Sequence, residues 1–215
     1  MRSIVNIITV LALIVIVGCS NEISNDENLT KDDLKSAKYS KIINSHLDSR
    51  SQQLELLFHN SDIIRYLDES NNILQSQEKI TAEDYQKIDT KMQSDKQASD
   101  VQRLMYNKCA LRLRGFLSKH HSFKEISITN LDGINICQTD LNSDFYQADE
   151  KWWQDAYNDG FGKKTYGKVM YKEDASSIDI PIYLPIYTAG KLIGISKSVV
   201  SIDDVDRSDI KFTNH

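Results

Sequence analysis

Apolar residues change their spacing once along this chain, near residue 123, and the change divides it into a helical part and a strand part. Leu34, Ala37, Ile42, Leu47, Leu54, Leu57 and Phe58 recur near the 3.6-residue period of a helix, behind Thr30-Lys31-Asp32-Asp33, which has the form of a capping box. The spacing predicts a long amphipathic helix from there to about Asn60, with an apolar stripe that needs a partner. A second helix is expected from Ser61 to about Glu69 on Ile63, Ile64 and Leu67, and the polar NNILQSQEK behind it is expected as loop. Thr81-Ala82-Glu83-Asp84 repeats the capping pattern and opens a third helix through Ile88, Met92, Val101, Leu104, Met105, Leu111, Leu113 and Phe116.

Beyond Phe123 the period is two. Residues 125–130, a tight turn at Leu131-Asp132-Gly133 and residues 134–139 form a hairpin pattern. Further strands are expected over 165–171, 178–187 and 192–202, the last two joined by a turn at Ala189-Gly190. In the fourth, Ile178, Ile180, Ile182, Leu184 and Ile186 share one face. Pro181 and Pro185 share the other and each removes a ladder donor, which favours an edge or bulged strand. One short helix is expected between strands two and three. Helices first, then strands, make an α+β layout: a long N-terminal helix and further helices packed on a five-stranded antiparallel sheet.

Composition narrows the setting. The 215 residues suffice for one core, and a net charge of −5 with scattered Lys and Arg argues against a nucleic-acid partner. The N-terminus has the pattern of a targeting device: Arg2, then an apolar run over 4–17 interrupted by Asn6 and Thr9, too short for a comfortable membrane span. It ends in Ile16-Val17-Gly18-Cys19, which resembles the bacterial lipobox, where a small residue precedes a cysteine that is acylated and becomes the mature N-terminus. The expected organisation is a lipoprotein signal peptide over 1–18, a polar tether over 19–29, one domain over 30–202 and a tail over 203–215. A lipid at Cys19 would hold the protein to a membrane on the extracytoplasmic face of the cell envelope; Ser20 behind it suggests the outer membrane in a host with two membranes. Export permits a disulfide between Cys109 and Cys137, one in an expected helix and one in an expected strand, and the sequence leaves that bridge open.

Candidate chemistry concentrates in FYQADEKWWQDAY, residues 145–157. Trp152 and Trp153 offer large rigid faces, Tyr146 and Tyr157 add amphipathic rings, and Lys151 places a cation beside the indoles. Adjacent helical residues point about 100° apart, so one indole can face the core and the other a cleft. No nucleophile elbow, Walker loop or zinc signature occurs, so neither an enzyme nor a cofactor is expected. His120 and His121 fit a helix end or a solvated pair, and Asp140, Asp144, Asp149 and Glu150 lack the spacing of a calcium loop.

The pieces ISITNLDGINICQT, DEKWWQDAY and IPIYLPIYTAGKLIGIS, in that order, resemble the Cache family of extracytoplasmic sensor domains, PAS-like modules outside many bacterial chemoreceptors and histidine kinases. The resemblance covers about residues 30 to 202 and implies a PAS-like sheet with a small-molecule pocket under its overlying loops. In amino-acid-binding members a tyrosine, an arginine five residues on and a tryptophan two beyond hold the ligand carboxylate. Tyr146, Lys151 and Trp153 have that spacing here, with lysine for arginine, and Tyr166 or Tyr171 could supply the tyrosine of the next strand. By this resemblance Tyr146, Lys151, Trp153 and Tyr171 line the pocket, and Trp152 is expected to support the fold if it is the core-facing indole. Asp149 and Glu150 compete for Lys151. The family's aspartate for an amine is missing, Ser198 or Val199 standing there, so a carboxylate without an amine fits better. Family members continue into a second membrane span and a signalling domain; this sequence stops at His215, so a separate receptor or kinase partner is expected. The alternative is an interaction lipoprotein that pairs through its long helix without a ligand.

Overall fold

The first described helix starts where a serine caps it. The structure, a computed structural model, describes residues 39–76, 81–95, 99–141, 144–172 and 177–203; the expected leader, Cys19, the tether and the end of the tail lie outside the described residues. Helix α1 (Lys41–Phe58) is capped by Ser40, whose hydroxyl accepts the Ile43 N–H at 3.4 Å, so it does not run unbroken from Thr30. Its stripe of Ile43, Leu47, Leu54 and Phe58 is buried.

Helix α2 (Ser61–Ser76) outlasts its expected end at Glu69 because tertiary bonds hold the polar part. Asn71 donates to the Ile193 carbonyl at 2.8 Å and accepts the Leu131 N–H at 3.1 Å, while Ser70 accepts from the Asn130 amide at 3.0 Å. The expected third helix is three: α3 (Ala82–Ser94), α4 (Ser99–Tyr106) and α5 (Lys108–Leu117). Thr81 and Asp84 cap α3 reciprocally, the Thr81 N–H donating to the Asp84 carboxylate and the Asp84 N–H to the Thr81 hydroxyl. Asn107 breaks the run: its side-chain oxygen accepts the Ala110 N–H at 2.8 Å and starts α5, and its amide donates to the Ile136 carbonyl at 2.8 Å. An asparagine that satisfies a helix end and a strand at once is worth more there than inside a helix.

The strands are β1 (Phe123–Thr129), β2 (Asn135–Gln138), β3 (Thr165–Tyr166), β4 (Met170–Lys172), β5 (Ser177–Thr188) and β6 (Lys191–Ser201), with α6 (Lys151–Tyr157) between β2 and β3. All pairs are antiparallel, in the order β2-β1-β6-β5-β3, and β4 also pairs with β5. The expected third strand is thus split at 167–169, and the sheet is PAS-like, five strands wide, in an α+β fold. Strand β5 is not an edge, since β6 flanks one side and β3 with β4 the other. Its prolines sit where no donor is missed: the Pro181 carbonyl accepts Gly167 N–H at 2.7 Å in the gap between β3 and β4, and Pro185 lies beyond the last β3 pair, Thr165 with Tyr183.

The even residues of β5, Ile178 to Ile186, pack with α1, α2, α5, Ile126 and Ile128 into the main core. Full burial of each such side chain contributes about 1.5–3 kcal/mol. A Cβ on Gly194 would meet the Thr129 carbonyl oxygen and Leu67 Cδ2, both at 2.5 Å, so α2 approaches β6 as closely as only glycine allows. Cys109 and Cys137 are disulfide-bonded, tying α5 to β2 across this core.

Candidate functional site

Alternation along the strands sends a second set of side chains to the sheet face opposite the main core. Register fixes one row of them: Gln138 of β2 lies opposite Ser127 of β1, Ser127 opposite Lys197 of β6, Lys197 opposite Tyr183 of β5, and Tyr183 opposite Thr165 of β3. Four strand spacings make this row about 19 Å long. Helix α6 lies on it. Trp152 stacks on Tyr183 with ring centroids 4.8 Å apart and planes at 20°, and Lys197 Nζ stands 5.8 Å from the Trp152 ring, within cation–π range.

Both ends of the row are polar and unsatisfied. Gln138 is fully buried, and neither its Oε1 nor its Nε2 has a hydrogen-bond partner; Thr165 Oγ1 is likewise buried and without one. Such orphans are few in native proteins, and each costs about 1–3 kcal/mol. A cleft of about 420 Å³ opens beside Thr165, lined also by Gln154, Asp155, Asn158, Asp159 and Lys163. The Tyr183 phenol is pushed up to about 12 by burial, then by the charges of Glu150 and Glu125.

A bulge adds one more group. The register of β1 with β2 shifts between Ile128 and Thr129, so that Thr129 pairs with Asn135 while Ser127 pairs with Gln138. Asn135 and Gln138, three apart in sequence, therefore share the α6 side of the sheet. Asn135 is buried; its amide donates to the Asp144 carbonyl, and its Oδ1 has no partner.

The residues expected from sequence are dispersed. Trp153, not Trp152, is the buried indole, 5% exposed among Ala156, Leu192 and Ile195, with its N–H donated to Thr129 Oγ1 at 2.8 Å. Trp153 is thus the core-facing indole, and Trp152, which the sequence also offered as a ligand contact, faces the row. Lys151 points to solvent, its side chain 84% exposed, and pairs at 2.8 Å with Asp155 rather than with Asp149 or Glu150. That position withdraws the cation on which a carboxylate ligand rested.

Tyr146 stacks flat on Tyr85 of α3 at 4.4 Å, and its N–H donates to Asp89 Oδ1 at 3.1 Å. Burial pushes the Asp89 carboxyl up, against the Phe145 and Tyr146 N–H donors that draw it down. Tyr166 lies on the other face, as its pairing with Ile182 requires, and its hydroxyl donates to Asp48 of α1 at 2.8 Å. Tyr171 pairs with Ile178 by its backbone, and its side chain lies outside what the structure describes, as does Cys19. Sequence reasoning missed Gln138, Asn135, Ser127, Thr165, Tyr183 and Lys197. A lysine inside the apolar run LIGISKSVV and a tyrosine on the proline face of IPIYLPIY were the signals available.

Neither a family model nor a curated protein matches the sequence. Among solved structures, the chain is similar to the ligand-binding domain of the Pseudomonas aeruginosa PAO1 amino acid chemoreceptor PctC in complex with GABA, at 10% identity and TM-score 0.35, over 73% of this chain and 62% of that one. It is similar to the sensory domain of the Campylobacter jejuni chemoreceptor Tlp3 with isoleucine bound, at 13% identity and TM-score 0.35, over 77% of this chain and 65% of that one. The V. cholerae histidine kinase DctB sensor domain is similar at 14% identity and TM-score 0.34, over 80% of this chain and 60% of that one. The chain spans 60–65% of the length of these three sensory or ligand-binding domains.

Proposed function

We propose that this chain is a small-molecule-binding, sensor-type domain, held by a lipid on Cys19 at the extracytoplasmic face of the cell envelope and acting through a separate receptor or kinase partner. The observation that carries the binding role is the row from Gln138 to Thr165: hydrogen-bonding side chains from five strands, unsatisfied at both ends and faced by the Trp152 indole. A small polar solute would satisfy the groups at one end of this row, and the half-buried indole over its middle offers a stacking face. A disulfide between Cys109 and Cys137 suits an oxidising compartment and so supports an extracytoplasmic place.

The test is calorimetry and thermal melting against a library of small polar metabolites, with mass spectrometry of any molecule carried through purification. A ligand at a hundredfold excess over its Kd raises stability by about 2.7 kcal/mol. Trp152→Ala is expected to keep the fold and weaken binding at least tenfold, whereas Trp153→Ala costs about 3–5 kcal/mol of stability. Unchanged affinity in Trp152→Ala would remove this face as the binding site.

A further inference from the structure

We propose that the polar head of the ligand is a primary carboxamide, taken by Gln138 and Asn135 together, and that the site rejects the carboxylate of the same skeleton. The proposal rests on the small-molecule reading above and narrows it to a chemical class. Three buried polar atoms lack partners on this part of the face: Gln138 Oε1 and Asn135 Oδ1, which accept, and Gln138 Nε2, which donates. The orientation of Asn135 is settled by its own bond, because the atom that donates to the Asp144 carbonyl must be Nδ2, leaving Oδ1 to accept. Gln138 presents one donating nitrogen and one accepting oxygen whichever way its amide is turned.

The β-bulge makes the pair usable. Without the register shift Asn135 and Gln138 would point to opposite faces; with it they stand opposite Thr129 and Ser127, two residues apart on β1 and so about 7 Å apart along the strand. Two acceptors and one donor match a primary carboxamide group for group. Its carbonyl accepts from Gln138 Nε2, one N–H donates to Gln138 Oε1 in a cyclic amide pair, and the second N–H donates to Asn135 Oδ1.

Other small heads leave something unmet. A carboxylate brings no donor, so it satisfies Nε2 while setting a negative charge against two carbonyl oxygens. An ammonium satisfies both oxygens and leaves Nε2 bare. Sites built to hydrogen-bond a particular group reject analogues that lack it, because the buried partners are then unpaired. The order expected is carboxamide first, with the isosteric acid at least tenfold weaker.

The experiment is calorimetry on the whole protein with matched probes: glutamine and glutamate, nicotinamide and nicotinate, propionamide and propionate. The expected result is that the carboxamide of at least one pair binds at least tenfold tighter than its acid, and that Gln138→Leu and Asn135→Thr each remove the preference. Two variants are used because either could disturb β2, and near-ultraviolet circular dichroism confirms that each is folded; the wild-type comparison needs neither. Acids that bind as tightly as amides overturn the carboxamide assignment and leave the small-molecule reading standing. A preference for amides that survives in both variants also overturns it, since the selectivity then comes from elsewhere. If the wider metabolite library yields a ligand that is neither amide nor acid, the assignment alone is lost; if nothing binds, both fall.

Discussion

Tyr183 meets the site on several sides: its ring carries Trp152, its neighbours across the ladder are Lys197 and Thr165, and Glu150 and Glu125 act on its phenol. Burial and those two acids raise it from 10.0 to about 12. A raised value means that the folded state holds the proton more firmly, so this contribution to stability is fully present below the unfolded value near 10.0 and is lost as pH rises through about 12. Tyr183→Phe has no proton to lose. Its stability should therefore fall less between pH 10 and 12 than that of the wild type, measured by urea unfolding at each pH. Tyr39, also raised to about 12 by burial and then by the charge of Tyr183, loses that second cause in the variant, which reduces the loss in the same direction. Equal losses would show that the Tyr183 phenol is not held neutral.

Elements owe their positions to a few polar or covalent ties laid over the apolar core. Helix α5 is fixed to β2 by the Cys109–Cys137 disulfide and by the Asn107 amide on the Ile136 carbonyl, so the strand that carries Asn135 and Gln138 is held from behind. The bridge spans a sequence separation of 28 residues. Loop-closure entropy for a loop of that size gives about 3–4 kcal/mol. Cys109→Ser with Cys137→Ser should lower the free energy of unfolding by about that amount, and a protein unchanged by the double substitution would show that the tie is dispensable. On α1, the exposed large apolar residues are Ile42 and Leu56, and the exposed positions between them, such as Ser45, Ser49 and Gln52, are polar. The described helix therefore offers no continuous stripe for pairing with another chain, which weighs against the interaction-lipoprotein alternative.

Across the described residues, the first and the last, Tyr39 and Asp203, both reach the first half of β5. The Tyr39 hydroxyl donates to the Gly167 carbonyl beside Pro181, and Asp203 Oδ1 accepts the Ile178 N–H at 2.9 Å. Among the described residues no helix is long and apolar enough to cross a membrane. In the proposed function, membrane attachment falls to Cys19. Expressed in a lipoprotein-processing bacterium, the wild type should partition into the detergent phase and Cys19→Ala should stay unprocessed or partition into water; detergent partitioning of a processed Cys19→Ala protein would dispose of the anchor.

The features legible from residue pattern alone are local ones. Alternation in 178–187 specified a strand with an isoleucine face, Thr81 with Asp84 announced a helix start, and the hairpin at Leu131-Asp132-Gly133 followed from its turn residues, with Gly133 at φ 78°. These signals lie within a few residues of the backbone they control. The candidate site was barely legible, because a period of two assigns a residue to a face without saying which strand lies beside it. Only the order β2-β1-β6-β5-β3 brings Gln138, Ser127, Lys197, Tyr183 and Thr165 into one row, and only packing decided that Trp153 is buried while Trp152 faces the row. The bulge is the sharpest case: a one-residue shift in the pairing of β1 with β2, which the alternation of the hairpin does not announce, turns Asn135 onto the face that Gln138 occupies.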